Sequence, residues 1–236
     1  MPSVVHVSLN TSPEQTLRLE ALQEAFAEVC NALAPVVRET RCWNRVGLHH
    51  LAYRQLRERF PKVGSQMVCN AIYSVSRTCR LVFQHPASPF NVSRFPDKAL
   101  PLLRFQASAP VYFDRHTLSI RGSRLSMYTL DGRVRFQLDL AEADIQRFST
   151  HKLREIVLDR VGESFRLSFV LSGEAGAAEE EGAELAVTGE MPEYIRIDPA
   201  EGQGLAPATG VSAQRARVGA VARHRAEHGG GDHLTG

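Results

Sequence analysis

Long apolar runs are missing from this 236-residue chain. No window approaches the ~18 uninterrupted apolar residues of a membrane-spanning helix, which excludes a helix-anchored membrane protein. Cysteine is scarce and wrongly spaced for metal. Cys30, Cys42, Cys69 and Cys79 form no C-x-x-C knuckle, and with no signal-peptide pattern before them they are expected to be reduced thiols of a cytoplasmic protein. Glycine-rich phosphate loops and a nucleophile elbow are also lacking, so nucleotide-binding and serine-hydrolase chemistry have no support. Lysine is nearly absent, with Lys62, Lys98 and Lys152 as the only lysines among 28 basic residues. Aromatic residues are missing from one part of the chain only. Beyond residue 171 Tyr194 is the single aromatic, and 12 of the 17 glycines fall there.

Charge divides at the same place. Residues 1–171 carry 23 Lys+Arg against 15 Asp+Glu, a net +8, whereas residues 172–236 carry 5 against 11, a net −6. A segment so poor in aromatics buries little. The Gly/Ala/Glu-rich stretch 172–236 is therefore expected to be a disordered tail behind a folded body. The planar guanidinium fork gives a phosphate two parallel hydrogen bonds, so an arginine excess points towards polyanions. A GC-rich gene accounts for part of that excess and makes it suggestive alone.

Periodicity supplies the elements. Val4 to Leu9 alternates as a short strand. Ser12, Pro13 and Gln15 then make a capping box with proline at the first helical position, and Leu19, Leu22, Phe26, Val29, Cys30 and Leu33 form an apolar helical stripe that Pro35 is expected to kink or end. Helices are predicted over 46–60, stopped by Pro61, and over 65–84. Pro86, Pro89, Pro96 and Pro101 mark a linker. From Leu103 the period falls to two. Strands follow through Val111-Tyr112-Phe113 and Leu118-Ser119-Ile120, with a phase slip between Met127 and Tyr128 that predicts a bulge. Asp131-Gly132 signals a hairpin, 141–151 is ambiguous, and a final hairpin turns at Gly162-Glu163. One further short strand is read at Tyr194 to Ile197. The predicted fold is α+β. Segments 1–10 and 100–171 form a small antiparallel β-barrel, and 11–99 contributes an inserted three-helix bundle with its linker.

This order of pieces resembles the amino-terminal half of TnpB, the RNA-guided nuclease family of insertion sequences, often described as OrfB-type transposase and related to type V CRISPR nucleases. The likeness rests on Leu9-Asn10-Thr11-Ser12-Pro13-Glu14-Gln15, Cys30-Asn31, Asn44-Arg45, Leu48-His49-His50-Leu51-Ala52-Tyr53, Leu56-Arg57, Phe60-Pro61 and Ser65-Gln66. Phe113-Asp114-Arg115-His116-Thr117-Leu118-Ser119-Ile120 and Phe165-Arg166-Leu167-Ser168-Phe169-Val170 extend it to residue 171. The resemblance implies a wedge-like barrel, an inserted recognition lobe, and a groove between them for guide RNA and its duplex with DNA, read through shape and backbone.

In that family a RuvC-like nuclease follows, and it needs three or more carboxylates to hold two metal ions. Here Ile195-Arg196-Ile197-Asp198-Pro199 loosely resembles its first strand, with Asp198 as the acid and Arg196 in place of the family's glycine. No later acids stand in the needed context, and the family's four-cysteine zinc module is missing. The expectation is a truncated, non-cutting protein that binds RNA or DNA, with no cofactor and no membrane partner. The alternatives are a regulator using the second and third helices as a helix-turn-helix, or a decayed remnant.

The nucleic-acid candidates are Arg41, Arg45, Arg54, Arg57 and Arg59 with Trp43 and Tyr53 interleaved. Arg77 and Arg80 on the third helix join them, and Arg121, Arg124, Arg133 and Arg135 make a matching patch on the strands. His224, His228, His233 and Asp232 lie around Gly229-Gly230-Gly231, which breaks any helix that would align them, so they read as a tail and not a metal site.

Overall fold

The computed structural model describes residues 3–172 and 191–198. In chain order they form β1 (Ser3–Leu9), α1 (Pro13–Thr40), α2 (Arg45–Arg59), α3 (Ser65–Gln84), β2 (Leu102–Phe105), β3 (Val111–Phe113), β4 (Leu118–Arg121), β5 (Arg124–Thr129), β6 (Gly132–Gln137), α4 (Glu142–Thr150), β7 (Leu153–Val161), β8 (Ser164–Leu171) and β9 (Ile195–Asp198). The class is α+β with antiparallel sheets throughout.

The capping box at α1 forms in both directions: Gln15 N–H donates to Ser12 Oγ at 3.2 Å, and Ser12 N–H donates to Gln15 Oε1 at 2.9 Å. Pro35 does not end this helix. The ring removes one backbone bond, but the two turns around it bury Leu33, Ala34 and Val37, and tertiary packing of an apolar face outweighs one lost hydrogen bond. The chain leaves α1 only at Arg41, whose φ of 52° is left-handed. Asn44 caps α2 by accepting from Val46 N–H at 3.0 Å and Gly47 N–H at 3.1 Å. Twelve of the 20 residues of α3 are buried, so it is the central helix, packed on α1, α2 and β3.

The strands make three sheets, ordered β1-β8-β7-β3, β4-β5-β6 and β2-β9. β1 pairs with β8 from Ser3↔Leu171 to Leu9↔Phe165. This brings the first strand beside one some 160 residues later, and the three helices are inserted between. No sheet closes on itself among the described residues, which corrects the expected barrel. Two diversions explain it. After β6 the chain enters α4 instead of crossing to the large sheet, and β2 takes β9 as its partner. The first turns of α1 meet the β5–β6 hairpin, where Gln15 Nε2 donates to the Arg135 carbonyl at 3.1 Å and Arg18 donates to the Asp131 carbonyl at 2.8 Å.

Three smaller expectations change as well. β5 runs without a bulge, because Leu125, Met127 and Thr129 face inward while Tyr128 faces out. Its ring is sheltered there by the α2–α3 turn, with Gly64 N–H donating to the Tyr128 hydroxyl at 2.9 Å. The irregular register lies in β7, between Leu153 and Glu155. In the β5–β6 hairpin Thr129 pairs with Gly132, so the two-residue loop is Leu130-Asp131, one position earlier than expected. The ambiguous stretch 141–151 is α4. The tail expected beyond 172 lies outside the described residues except for Met191–Asp198, as do the histidines at 224, 228 and 233. Among the described residues no helix is long and apolar enough to cross a membrane.

Candidate nucleic-acid interface

The helical arginines make contacts within the protein, although Arg41, Arg45, Arg54 and Arg59 stay exposed and only Arg57 is half-buried. Arg41 donates to the Pro96 carbonyl at 2.9 Å and the Lys98 carbonyl at 3.2 Å. The Arg45 guanidinium lies 5.3 Å from the Tyr73 ring centroid, and that of Arg59 lies 5.3 Å from Phe60. Arg57 donates to the Val63 carbonyl and closes the α2–α3 turn. Arg54 pairs with Glu58 one turn on, fully in solvent. Such an exposed pair contributes little to stability.

Arg77 is not on an outer face. Its guanidinium meets Glu155 Oε1 at 3.2 Å and the Tyr73 hydroxyl at 3.5 Å, and Tyr73 itself donates to Glu155 at 2.9 Å. Burial and the neighbouring Glu155 raise the Tyr73 pKa above its ordinary value. The pKa of Arg77 is raised too: its desolvation is outweighed by Tyr112, Glu155 and Tyr73. Arg80 is half-buried on α3. The two aromatics proposed for stacking are also packed. Trp43 rests on Phe83 with centroids 5.4 Å apart, and Tyr53 stacks on His49 at 4.4 Å. Both are half-buried.

The strand arginines are arranged differently. Antiparallel register sets Arg121 opposite Arg124, Arg124 opposite Gln137, Ser126 opposite Arg135, and Tyr128 opposite Arg133. Since side chains alternate along each strand, Arg121, Arg124, Arg133 and Arg135 share one outer face of the β4-β5-β6 sheet. Leu118, Leu125, Met127, Val134 and Phe136 fill the other, buried face. Arg133 is held down by Ser126, donating from Nη2 to its carbonyl at 2.7 Å and from Nε to its Oγ at 2.9 Å. Arg121, Arg124 and Arg135 have no side-chain hydrogen bond or ion pair among the described residues. With Ser119, Ser126 and Gln137 they line an open depression of about 760 Å³. Like charges placed directly opposite on a sheet are destabilising, so the Arg121–Arg124 pair is an unfavourable arrangement.

The Asp198 carboxylate is already opposed by a guanidinium, with Arg104 Nε donating to Oδ2 at 2.8 Å. No group of three or more His, Cys, Asp or Glu side chains gathers among the described residues. This donor set does not fit a two-metal clamp, which needs several carboxylates around both ions. The cysteines are all free thiols, and burial pushes those of Cys30 and Cys79 well up from the ordinary range. That leaves both poor nucleophiles. Sequence reasoning passed over Arg94, Phe95 and Lys98, because the prolines around them read as a spacer.

Compared with known proteins, the chain matches no protein-family model and no curated protein.

Proposed function

We propose that this chain is a TnpB-like protein that holds nucleic acid. The observation that carries this reading is the outer face of the β4-β5-β6 sheet, where four arginines stand together and three are free to reach phosphates. The body's net +8 supports it, since positive charge steers polyanions towards a surface. The order of motifs from Leu9 to Val170 supports the family likeness. Guanidiniums pair bidentately with phosphate oxygens, contacts that carry no sequence information. The substrate that suits this face is therefore structured RNA or an RNA–DNA duplex, bound by its phosphates.

The helix-turn-helix alternative has less to recommend it. A recognition helix must offer a full face to the major groove, whereas α3 is exposed only at Ser65 and Gln84, its two ends.

The test is the salt dependence of binding. Each phosphate contact removed should flatten the slope of log K against log salt by roughly 0.9 on a duplex. The double variant Arg121→Ala/Arg124→Ala is expected to lower that slope by about 1.8 and to weaken binding to unrelated sequences alike. An unchanged slope in the folded variant would return this face to the status of an ordinary solvated surface.

A further inference from the structure

Residues 85–101 connect α3 to β2 with neither helix nor strand, yet their backbone is tied at many points. Asn91, itself buried, donates through Nδ2 to the Gln84 and His85 carbonyls at 2.9 and 3.0 Å, and its Oδ1 accepts from Arg94 N–H at 3.1 Å. Val92 N–H donates to the Phe83 carbonyl at 2.9 Å, and Lys98 N–H to the Phe95 carbonyl at 3.3 Å. Arg41 clamps the far side through the Pro96 and Lys98 carbonyls. This scaffold holds Phe95 outward, 42% exposed. The Arg94 guanidinium lies 5.5 Å and the Lys98 ammonium 5.6 Å from its ring centroid. An exposed ring on a tied backbone, with two cations over it, places aromatic surface and positive charge at one point.

We propose that Arg94, Phe95 and Lys98 form a binding point for an unpaired nucleotide. The base stacks on the Phe95 ring and the adjoining phosphates are held by Arg94 and Lys98. Arg41 is a positioning residue that acts through the loop. The inference rests on the nucleic-acid reading above and adds what the basic sheet face lacks. Tyr128 is sheltered by the α2–α3 turn and Trp43 and Tyr53 are packed, whereas Phe95 is exposed and its ring contacts the Arg94 and Lys98 cations, which a stacking base would displace towards its phosphates. Aromatic stacking is tolerant of sequence because every base has a π-face. A lipid surface suits the loop less well. Interfacial anchoring takes a broad apolar face, and the other exposed large apolar residues among those described, Leu17, Val46, Leu51, Leu153 and Val161, belong to other elements.

The experiment uses the full chain and two fluorescein-labelled probes, a 12-nucleotide oligoadenylate and a blunt 12-base-pair RNA duplex, with affinity read by anisotropy. Phe95→Ala is expected to weaken oligoadenylate binding by about tenfold or more at an unchanged salt slope, and to alter duplex binding less than twofold. Phe95→Tyr should retain the affinity, and Phe95→Leu, which keeps bulk but no π-face, should lose it. Arg94→Ala/Lys98→Ala should flatten the oligoadenylate slope by about 1.4. Equal losses on both probes, wild-type affinity in Phe95→Ala, or Phe95→Leu behaving as Phe95→Tyr would overturn the proposal. Melting temperatures of all three Phe95 variants separate a folding defect from a binding one, since the Tyr and Leu variants still decide the matter if the Ala variant is unstable. If the wild type binds neither probe, the nucleic-acid reading fails as well. If it binds the duplex through Arg121 and Arg124 while the Phe95 variants change nothing, this inference alone falls. Phe95-dependent binding to anionic phosphatidylserine vesicles, in competition with the oligonucleotide, would overturn it in favour of a lipid role.

Discussion

Arg77 and Glu155 carry opposite charges on neighbouring elements, with side chains 20% and 10% exposed. Their value lies in what each prevents the other from suffering. Removing one partner of a buried pair leaves the other desolvated and uncompensated, whereas replacing both with apolar groups of similar size is often neutral. Because the pair is partly screened, Arg77→Leu is expected to cost about 2–3 kcal/mol. That lowers the melting temperature by roughly 5–10 °C for a chain of this length. The double variant Arg77→Leu/Glu155→Leu should recover most of the loss, and a calorimetric scan in which it melts no higher than the single variant would remove the pair from the account. The period of α3 in the sequence reveals which positions turn away from α1. It says nothing of β7, whose Glu155 arrives 78 residues later to meet Arg77. For the same reason Arg41, Arg45 and Arg57 read as a basic face, although each finds a carbonyl or a ring to lie against. Their partners are distant in sequence or are backbone atoms, and neither leaves a mark on composition.

At the scale of elements, α4 differs from the other helices. It buries no residue, and Ala141 at its N-cap gives it no side-chain bond. Its main anchor is Phe148, which meets Phe169 edge-to-face with centroids 5.0 Å apart. Arg147 and Asp144 pair only within the helix. A helix of nine residues is marginal without tertiary packing, so α4 should be the least protected helix. Phe148→Ala is expected to cost about 1–2 kcal/mol, less than the loss of a fully buried Phe. Hydrogen exchange should accelerate across 142–150 while β7 and β8 keep their protection. Protection lost equally from β8, or from nowhere, would mean that the helix is held by something else. Weak anchoring also explains why this stretch is ambiguous in the sequence, since a helix with two half-buried apolar positions, Ile145 and Phe148, prints little period. The strongly packed elements were legible: α2 and α3 lie within one residue of their predicted limits, and the final hairpin turns at Gly162-Glu163 as read. Pro35 misled because its local cost is visible in sequence and the burial of Val37 is not.

At the scale of the whole molecule, the change of charge and aromatic content near residue 171 suggests that the body ends with β8. The pairing of β9 with β2 carries the body at least as far as Asp198. Leu103 lies opposite Ile197 and Phe105 opposite Ile195, and Arg104 and Asp198 form an ion pair across the same ladder. Ahead of β9, the Tyr194 carbonyl accepts from Gln106 N–H at 2.9 Å and the Tyr194 hydroxyl lies 3.3 Å from Thr78 Oγ1 on α3. Composition failed here because four residues, Tyr194 to Ile197, supply the contact within a stretch otherwise rich in Gly, Ala and Glu. Ile195 and Tyr194 join the common core, and burying side chains of that size stabilises by about 1.5–3 kcal/mol each. A chain ending at residue 172 is therefore expected to be about 3–5 kcal/mol less stable than one ending at 198 and to melt roughly 6–15 °C lower. Ile195→Ala in the longer chain should account for a large part of the difference, whereas Arg104→Ala, which breaks only an exposed ion pair, should account for little. Equal melting temperatures for the two chain lengths would restore the limit at 171 and leave β2 as an edge that needs no partner. A fall confined to the longer chain's Arg104 variant would instead make the exposed ion pair, and not the apolar contact of Ile195, the reason that this strand returns to the body.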